Sequence, residues 1–338
     1  MRIIVDGMGG DNAPAEIVKG AVLAANEIND TIVLVGQENL LRAELEKNKY
    51  TGTQIEIEDA PDVITNHDTP VRAVRTKKQS SMVVGINMIK EGRGDVFVSA
   101  GNTGALMAGG LFILGRIQGI DRPAIASIYP ILGTKHPSLL VDAGANAECK
   151  PNNMLEFGTM GSIYMEKVLG VQRPKVGLVN IGAEETKGTT MLKAAHELLE
   201  KSRLHFVGNV EARDLPHGAC DVIVCDGFVG NIVLKLTEGL AMKIVSLLKK
   251  KFTAGMKAKL GALFLLDKMK EIKSEFDYSE YGGAPILGVK GHIVKMHGSS
   301  DAKAVKNTII KAIPYANENV VEIIQNSVLE LEEIIISE

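Results

Sequence analysis

Most of the side chains that could do chemistry in this 338-residue sequence lie in six short stretches rich in glycine and polar residues. The stretches are DGMGGDNAP (6–14), SAGNTGA (99–105), VDAGAN (141–146), NIGAEETKG (180–188), GNVEARD (208–214) and CDGFVGN (225–231). No HExxH or Cys/His cluster points to a metal, and no G-x-S-x-G elbow points to a serine nucleophile. The neutral donors, the lysine and the glycines suit the binding of a small oxyanion and the stabilisation of a developing one.

The stretch SAGNTGA contains four candidate ligand-binding residues, Gly101, Asn102, Thr103 and Gly104. They precede a predicted helix, whose free N–H groups favour an anion. Close packing of that helix on a sheet would select the same small residues, so the sequence leaves both interpretations open. The dinucleotide pattern G-x-G-x-x-G and the P-loop pattern G-x-x-x-x-G-K-[ST] are absent, which removes support for a nucleotide.

Two further stretches offer charged or amide side chains at predicted helix starts. Lys187 lies in a glycine-rich turn, where a lysine acts as a point charge for phosphate, although a surface lysine without a role is the commoner case. Asp226 and Asn231 surround two glycines, and an ordinary helix cap is the alternative for them. Cys225 ends a strand beside Asp226, which predicts a core thiol with a raised pKa and no nucleophilic role.

These stretches follow apolar runs that alternate with helical patterns. The predicted strands are 2–6, 31–36, 54–60, 95–100, 124–131, 138–143, 175–181, 205–210 and 221–226. The predicted helices are 13–28, 80–91, 153–169, 189–202 and 230–252. Such alternation indicates an α/β fold with a parallel-rich sheet covered on both faces. Ligands of such sheets bind outside the carboxyl ends of the strands, so we expect the polar stretches to meet in one cleft.

The amino-acid composition argues against several classes of protein. The formal charge is −3, tryptophan is absent and aromatic residues make up 4%, which argues against a nucleic-acid partner. Three cysteines without framework spacing indicate reduced thiols and a cytoplasmic location. Residues 1–6 are typical of a first strand and not of a signal peptide, and no apolar run has the length needed to span a bilayer. We see no repeat or linker and expect one domain over 1–338, with a protruding helical segment at 240–275.

Taken together with YGGAPILGVKG (281–291) and HGSS (297–300), the polar stretches resemble the motif set of PlsX-type phosphate acyltransferases, in the family's order from about residue 3 to residue 330. Gly7 and Val229 depart from the expected alanine and threonine, and the second leaves no hydroxyl at that position. The resemblance implies a three-layer α/β/α homodimer without a cofactor or metal. Its fold would be similar to the isocitrate/isopropylmalate dehydrogenase-like and phosphotransacetylase folds.

The implied reaction converts long-chain acyl-acyl carrier protein and inorganic phosphate to acyl phosphate and free carrier protein, an early step of phospholipid (phosphatidic acid) synthesis. We expect Lys187 and the loop with Asn102 and Thr103 to hold phosphate, and Asn231 to orient the thioester or stabilise its oxyanion. Further candidates at the substrate site are Asp11, Gly101, Gly104, Asn146, Asn209, Asp226 and Gly227.

The resemblance also implies partners. Because acyl carrier protein is acidic, the basic stretch with Arg72, Arg75, Lys77 and Lys78 is a candidate docking patch, with a solvated face as the alternative. Residues 249–273 carry a charge of +6 around Leu260, Leu263 and Phe264. This pattern is typical of peripheral contact with the inner face of a membrane, next to a membrane glycerol-phosphate acyltransferase. Packing on a dimer partner is the other interpretation.

Three other functions are alternatives. A phosphotransacetylase-like enzyme acting on acyl-CoA would share the fold and the phosphate chemistry. A decarboxylating dehydrogenase would need several aspartates around a divalent metal and a nicotinamide site, and neither is apparent. A non-enzymatic binding module would not explain six polar strand ends.

Overall fold

The computed structural model describes residues 1–131, 133–134, 136–252 and 282–337. Within them, eleven strands form one sheet in the order β3-β2-β1-β4-β11-β10-β5-β6-β9-β7-β8. The strands are β1 Arg2–Asp6, β2 Thr31–Gly36, β3 Ile55–Asp59, β4 Val96–Ser99, β5 Ala124–Tyr129, β6 Ser138–Val141, β7 Lys175–Asn180, β8 His205–Glu211, β9 Val222–Val224, β10 Ala284–Leu287 and β11 His292–Lys295. The α-helices are α1 Ala15–Ala25, α2 Glu38–Lys47, α3 Pro70–Thr76, α4 Ser81–Lys90, α5 Thr103–Gly109, α6 Pro151–Lys167, α7 Thr190–Lys201, α8 Gly227–Phe252, α9 Ala302–Asn317 and α10 Val320–Ser337.

Helices cover both faces of this sheet because the apolar side chains of each strand alternate between two cores. In β1, Ile3 and Val5 belong to one core, whereas Ile4 belongs to the other. Buried or packed residues of α1, α2, α6, α7, α9 and α10 complete the first core, and those of α3, α4, α5 and α8 complete the second. The fold is therefore the predicted α/β class in three layers.

Strand direction reverses in the middle of the sheet. Seven pairings are parallel, but β11–β10, β10–β5 and β5–β6 are antiparallel. As a result β6, β7, β8 and β9 run opposite to β1, β2, β3, β4, β5 and β11. We call the edge at the carboxyl ends of β1, β4 and β11 the first edge, and the edge at the carboxyl ends of β6, β7 and β9 the second edge.

The six polar stretches therefore do not all lie at one edge of the sheet. The stretches at 6–14 and 99–105 follow β1 and β4 at the first edge, whereas those at 141–146, 180–188 and 225–231 follow β6, β7 and β9 at the second. The physical reason is the set of antiparallel pairings made by β10 and β5, which place oppositely directed half-sheets side by side.

All nine predicted strands form within two residues of their expected ends, and the five predicted helices within three. Strands β10 and β11, at the centre of the sheet, are not among the predicted strands. Each has only four residues, and Pro285 is a residue that normally argues against a central strand. The described part of α8 reaches Phe252, and most of the expected segment at 240–275, with Leu260, Leu263 and Phe264, lies outside the described residues.

Candidate functional site

At the first edge a buried carboxylate ties two strand ends together. Asp6 is 1% exposed, and its Oδ2 accepts a 2.6 Å hydrogen bond from the Ser99 hydroxyl. Ser99 Oγ in turn accepts the Gly101 N–H at 3.0 Å. Burial raises the pKa of Asp6, and hydrogen bonds from serine hydroxyls and backbone N–H groups oppose that change. The end of β1 and the loop after β4 are thus held as one unit.

The glycines of the loop after β4 are explained by the protein's own atoms. A Cβ on Gly101 would lie 2.8 Å from Met82 Cε, and one on Gly104 would lie 2.7 Å from Pro70 Cγ. Asn102 uses both ends of its amide, since Oδ1 accepts the Ala105 N–H at 3.0 Å and Nδ2 donates to the Thr65 carbonyl at 3.2 Å. Close packing therefore accounts for these three residues.

Asp11 belongs to the same edge but supports a neighbouring loop. Its backbone N–H donates to the Gly298 carbonyl at 2.7 Å, and its carboxylate accepts from Asn66 Nδ2 at 3.3 Å. Asn12 Nδ2 reaches the carbonyls of Ser299 and Ser300 at 3.2 and 3.3 Å. The stretch after β1 therefore holds the HGSS stretch in place.

At the second edge Asp142 organises the loop after β6. Its carboxylate is 0% exposed and accepts hydrogen bonds from five N–H groups at 2.6–3.1 Å. The donors are the backbone groups of Ile125, Gly144, Ala145 and Asn146 and the Asn146 side chain. Asn146 Nδ2 also donates to the Pro123 carbonyl at 2.8 Å. Asn146, predicted to shape the pocket, is thus part of the loop framework.

The loop after β9 packs tightly on this framework. Gly227 N–H donates to the Asn146 carbonyl at 2.7 Å, and a Cβ on Gly227 would lie 2.8 Å from Asp142 Oδ2. A Cβ on Gly230 would overlap the Asp142 carbonyl oxygen. Asp226 caps the start of α8 by accepting the Val229 N–H at 2.8 Å. One turn further along, Asn231 is exposed and lies beside Gly144.

Lys187 and Asn209 lie around the loop after β7. Asn209 is 7% exposed, donates to the Glu184 carbonyl at 2.9 Å and has its Oδ1 3.1 Å from His196 Nδ1, so both ends of its amide are occupied. Lys187 is exposed, and its backbone carbonyl accepts from Asn180 Nδ2 at 3.2 Å. Ligand atoms of His196, Glu185 and Glu200 lie within 4.8 Å of one another, but both glutamates are exposed and none of the three lines the cleft described next.

A cleft of about 420 Å³ extends along β5 and joins the two edges. Thr103, Lys295 and His297 line it on the first-edge side, whereas Gly144 and Asn231 line it on the second-edge side. Between them lie β5 residues and the inner side of α8, with Ile125, Ser127, Ile128, Leu234, Thr237 and Ala241. The Tyr129 hydroxyl lies 3.2 Å from Thr237 Oγ1, which fixes α8 along this strand. Of the predicted site residues, the cleft brings together Thr103 and Asn231.

Lys295, which lines the cleft at the first edge, is not among the predicted site residues. Lys295 is the last residue of β11, and its Nζ donates to the carbonyls of Ala100, at 3.3 Å, and Met296. Burial lowers the pKa of Lys295 to about 8. A lysine two residues before the HGSS stretch was the available signal, but it indicates a site only once β11 is recognised as a strand beside β4.

The cysteines behave as core thiols. Cys220 and Cys225 are buried and Cys149 is half-buried, and all three are free. Burial raises the pKa of Cys149 and Cys220 to about 12 and that of Cys225 well above its usual value. No thiolate nucleophile is available from them at neutral pH, as the sequence analysis predicts for Cys225.

The predicted docking patch lies on and just after α3. Lys77 forms an ion pair with Asp68 at 2.7 Å, which lowers the pKa of Asp68 to about 2, and the Arg75 guanidinium lies 5.4 Å from the centre of the Phe112 ring. Arg72 and Lys78 are exposed. The patch is adjacent to the cleft, because α3 packs on α5, whose first residue is Thr103.

Comparison with known proteins agrees with this architecture. The family model described as fatty acid synthesis protein matches residues 1–323. A phosphate acyltransferase of Alkaliphilus oremlandii is 54% identical over 331 residues, which is 98% of both chains. One of Clostridioides difficile is 50% identical over 322 residues, 95% of this chain and 94% of the relative. A phosphotransacetylase from Streptococcus pyogenes matches the fold with a TM-score of 0.66 at 16% identity, over 94% of both chains.

The fold and these relatives define an acyltransferase with a phosphotransacetylase-like α/β architecture. The chain belongs to the PlsX family of phosphate acyltransferases, enzymes of fatty acid and phospholipid synthesis.

Proposed function

We propose that this enzyme transfers a long-chain acyl group from the thioester of acyl carrier protein to inorganic phosphate, giving acyl phosphate and free carrier protein. The observation that carries the proposal is the cleft along β5, with polar groups at both ends and apolar side chains between them. Its volume of about 420 Å³ lies within the usual range of ligand-binding clefts.

The reaction requires the protein to position phosphate more than to activate it. A phosphate oxygen attacks the thioester carbonyl carbon, a C–O bond forms, and the C–S bond breaks as the sulfur leaves with the electron pair and takes up a proton. Because phosphate near neutral pH is already a nucleophile, the protein must hold it beside the carbonyl and supply donors to the tetrahedral oxyanion.

Asn231 is the proposed oxyanion donor. Its side chain is exposed at the second-edge end of the cleft, beside Gly144, where a Cβ would lie 3.5 Å from Asn231 Cβ. Glycine at this position leaves the Asn231 amide open to a substrate. Thr103 supplies a hydroxyl at the first-edge end.

The phosphate-binding role predicted for Lys187 stays a prediction. Its side chain is exposed on the loop after β7 and is not among the residues that line the cleft. Near-normal phosphate-dependent turnover of Lys187→Ala would remove it from the site.

Apolar residues in the middle of the cleft suit the acyl chain. Ile125, Ile128, Leu234 and Ala241 line this region between the two polar ends. Carrier protein would dock on the neighbouring face, where Arg72 and Lys78 are exposed beside α3.

We further propose that two copies of the chain associate through α8. Phe228, Ile232, Leu236 and Leu240 recur every four residues along this helix and are 50–62% exposed. A continuous apolar row of this kind marks a protein interface more often than a solvated surface. Light scattering should give the mass of a dimer for the wild type and of a monomer for Leu236→Glu. A monomeric wild type would contradict the proposal.

Peripheral membrane association and delivery of acyl phosphate to a membrane glycerol-phosphate acyltransferase also stay predictions. The apolar residues predicted to enter the membrane lie outside the described part of the chain. Within that part, no helix is both long and apolar enough to cross a bilayer. Vesicle co-sedimentation that is insensitive to both Leu263→Glu and Phe264→Glu would count against insertion at those positions.

The proposed reaction is tested by measuring thiol release from palmitoyl-acyl carrier protein with and without inorganic phosphate. We expect release that saturates with phosphate and an equal amount of acyl phosphate. Palmitoyl-CoA in the same assay separates the carrier-protein reaction from a phosphotransacetylase-like one. Release that does not require phosphate, or that occurs only with the CoA thioester, would overturn the proposal.

A further inference from the structure

Lys295 occupies an unusual electrostatic position for a lysine. It lines the cleft and is half-buried at the end of β11, between the loop after β4 and α8. Two of its three N–H donors are directed to backbone carbonyls, those of Ala100 and Met296. One donor is left for a group in the cleft.

The charge of this ammonium is not neutralised by an ion pair. Among the described residues, Lys295 Nζ forms no ion pair with a carboxylate, although Asp6 and Asp11 are near enough to favour its charged form. Carbonyl oxygens solvate a cation but do not cancel its charge. A desolvated cation without a counter-ion is costly unless an anion completes its surroundings.

Charged groups of both signs surround this end of the cleft. Lys235 of α8 also lines the cleft and disfavours charge on both Lys295 and His297. Glu238, one turn further along α8, favours the charged form of His297. Asp6 is held by Ser99 and by the backbone of its own loop, so it is not free to move towards the lysine.

We propose that the Lys295 ammonium binds the phosphate substrate at the first-edge end of the cleft, an inference that rests on the proposed function and names the cation of that site. Phosphate there would face Thr103 and the backbone of Gly298, both of which line the cleft. Asn231 would then act on the acyl thioester from the opposite end.

This assignment makes phosphate binding sensitive to alkaline pH. Because the pKa of free Lys295 is lowered to about 8, its charge is present below that pH and is lost as the pH rises through it. The groups that face it are Asp6 of β1, Asp11 of the following loop and Lys235 of α8. Arginine at position 295 would stay charged across this range, because its pKa exceeds about 12.

The test measures inorganic phosphate binding and turnover separately. Phosphate should raise the melting temperature of the wild-type full chain, because a ligand that binds the folded state stabilises it. In Lys295→Met this rise should disappear, and the KM for phosphate should increase by about 10- to 100-fold. Lys290→Met is the matched control, since Lys290 is exposed at the opposite end of β11 and should leave both quantities unchanged.

Lys295→Arg keeps the test decisive should the methionine variant fold poorly. Wild-type phosphate binding should weaken between about pH 8 and 10, and in Lys295→Arg this weakening should be absent. An equal thermal shift in wild type and Lys295→Met, no shift in the wild type, or an unchanged alkaline weakening in Lys295→Arg would each overturn the assignment. Phosphate binding without phosphate-dependent thiol release would instead contradict the proposed function.

Discussion

The two edges of the sheet use their polar residues differently. At the second edge, the Asp142 carboxylate accepts five hydrogen bonds from its own loop and from β5. At the first edge, the Lys295 ammonium contacts two carbonyls and lines the cleft without an ion-pair partner among the described residues. Saturated polar groups build the loops, whereas groups with unused hydrogen-bonding capacity are the ones available to a substrate.

The strongest test of this difference between the edges is to remove the Asp142 carboxylate, which accepts five hydrogen bonds. Asp142→Ala should lower the free energy of unfolding by about 3–5 kcal/mol, because several N–H groups lose their acceptor at once. Asp226→Ala, which removes a helix cap that accepts one N–H, should cost about 1 kcal/mol. Urea denaturation measures both, and a loss below about 1 kcal/mol for Asp142→Ala would show that the carboxylate does not hold the loop.

Asn231, at the same edge, tests the behaviour of a group whose hydrogen-bonding capacity is left for a substrate. Asn231→Ala should lower kcat by about 100- to 1000-fold, as does the loss of an oxyanion donor elsewhere, while leaving the urea midpoint unchanged. Asn231→Asp keeps the shape but removes the donor, so it should lose a similar factor. The kinetics are measured as phosphate-dependent thiol release. Full activity in both variants would remove Asn231 from the chemistry.

Two glycines of α8 separate close packing from helix propensity. Gly230→Ala should destabilise the protein by about 1–3 kcal/mol, because its Cβ would overlap the Asp142 carbonyl. Gly239→Ala has open space and should stabilise α8 by about 0.5–1 kcal/mol. Thermal unfolding compares the two. Equal effects of the two substitutions would contradict the tight packing of α8 on the Asp142 loop.

The smallest effect concerns the surface beside the first edge. Arg72→Glu should raise the KM for acyl carrier protein by a few-fold at low salt, because it reverses one charge of the docking patch. The difference should shrink as salt is added. Lys290→Glu makes the same charge change on the remote β10–β11 turn and should leave this KM unchanged. Identical KM values for Arg72→Glu and wild type at low salt would show that this patch does not bind acyl carrier protein.

The comparison also explains what could be predicted from the sequence. Apolar, β-branched runs such as DVFVSA form buried strands for local reasons, so the nine predicted strands appear. The direction of each half-sheet depends on β10 and β11, whose four residues each give no strong local signal. Polar strand ends look alike in sequence. What separates the roles of Asp142 and Asn231 is that the folded chain buries the first among five donors and leaves the second exposed.

The properties of Lys295 could not be predicted from the sequence either. Its burial and its missing counter-ion arise from β1, the loop after β4 and α8, which are distant in sequence. Lys187, in contrast, stands out in a glycine-rich stretch but is exposed in the folded chain.

The central claim is that phosphate binds at the first edge while the thioester is activated from the second. Steady-state thiol release from palmitoyl-acyl carrier protein, titrated with phosphate for Lys295→Met and Asn231→Ala, tests it most directly. We predict that Lys295→Met mainly raises the KM for phosphate and that Asn231→Ala mainly lowers kcat. Loss of the same kinetic constant in both variants would contradict the division of roles between the two edges.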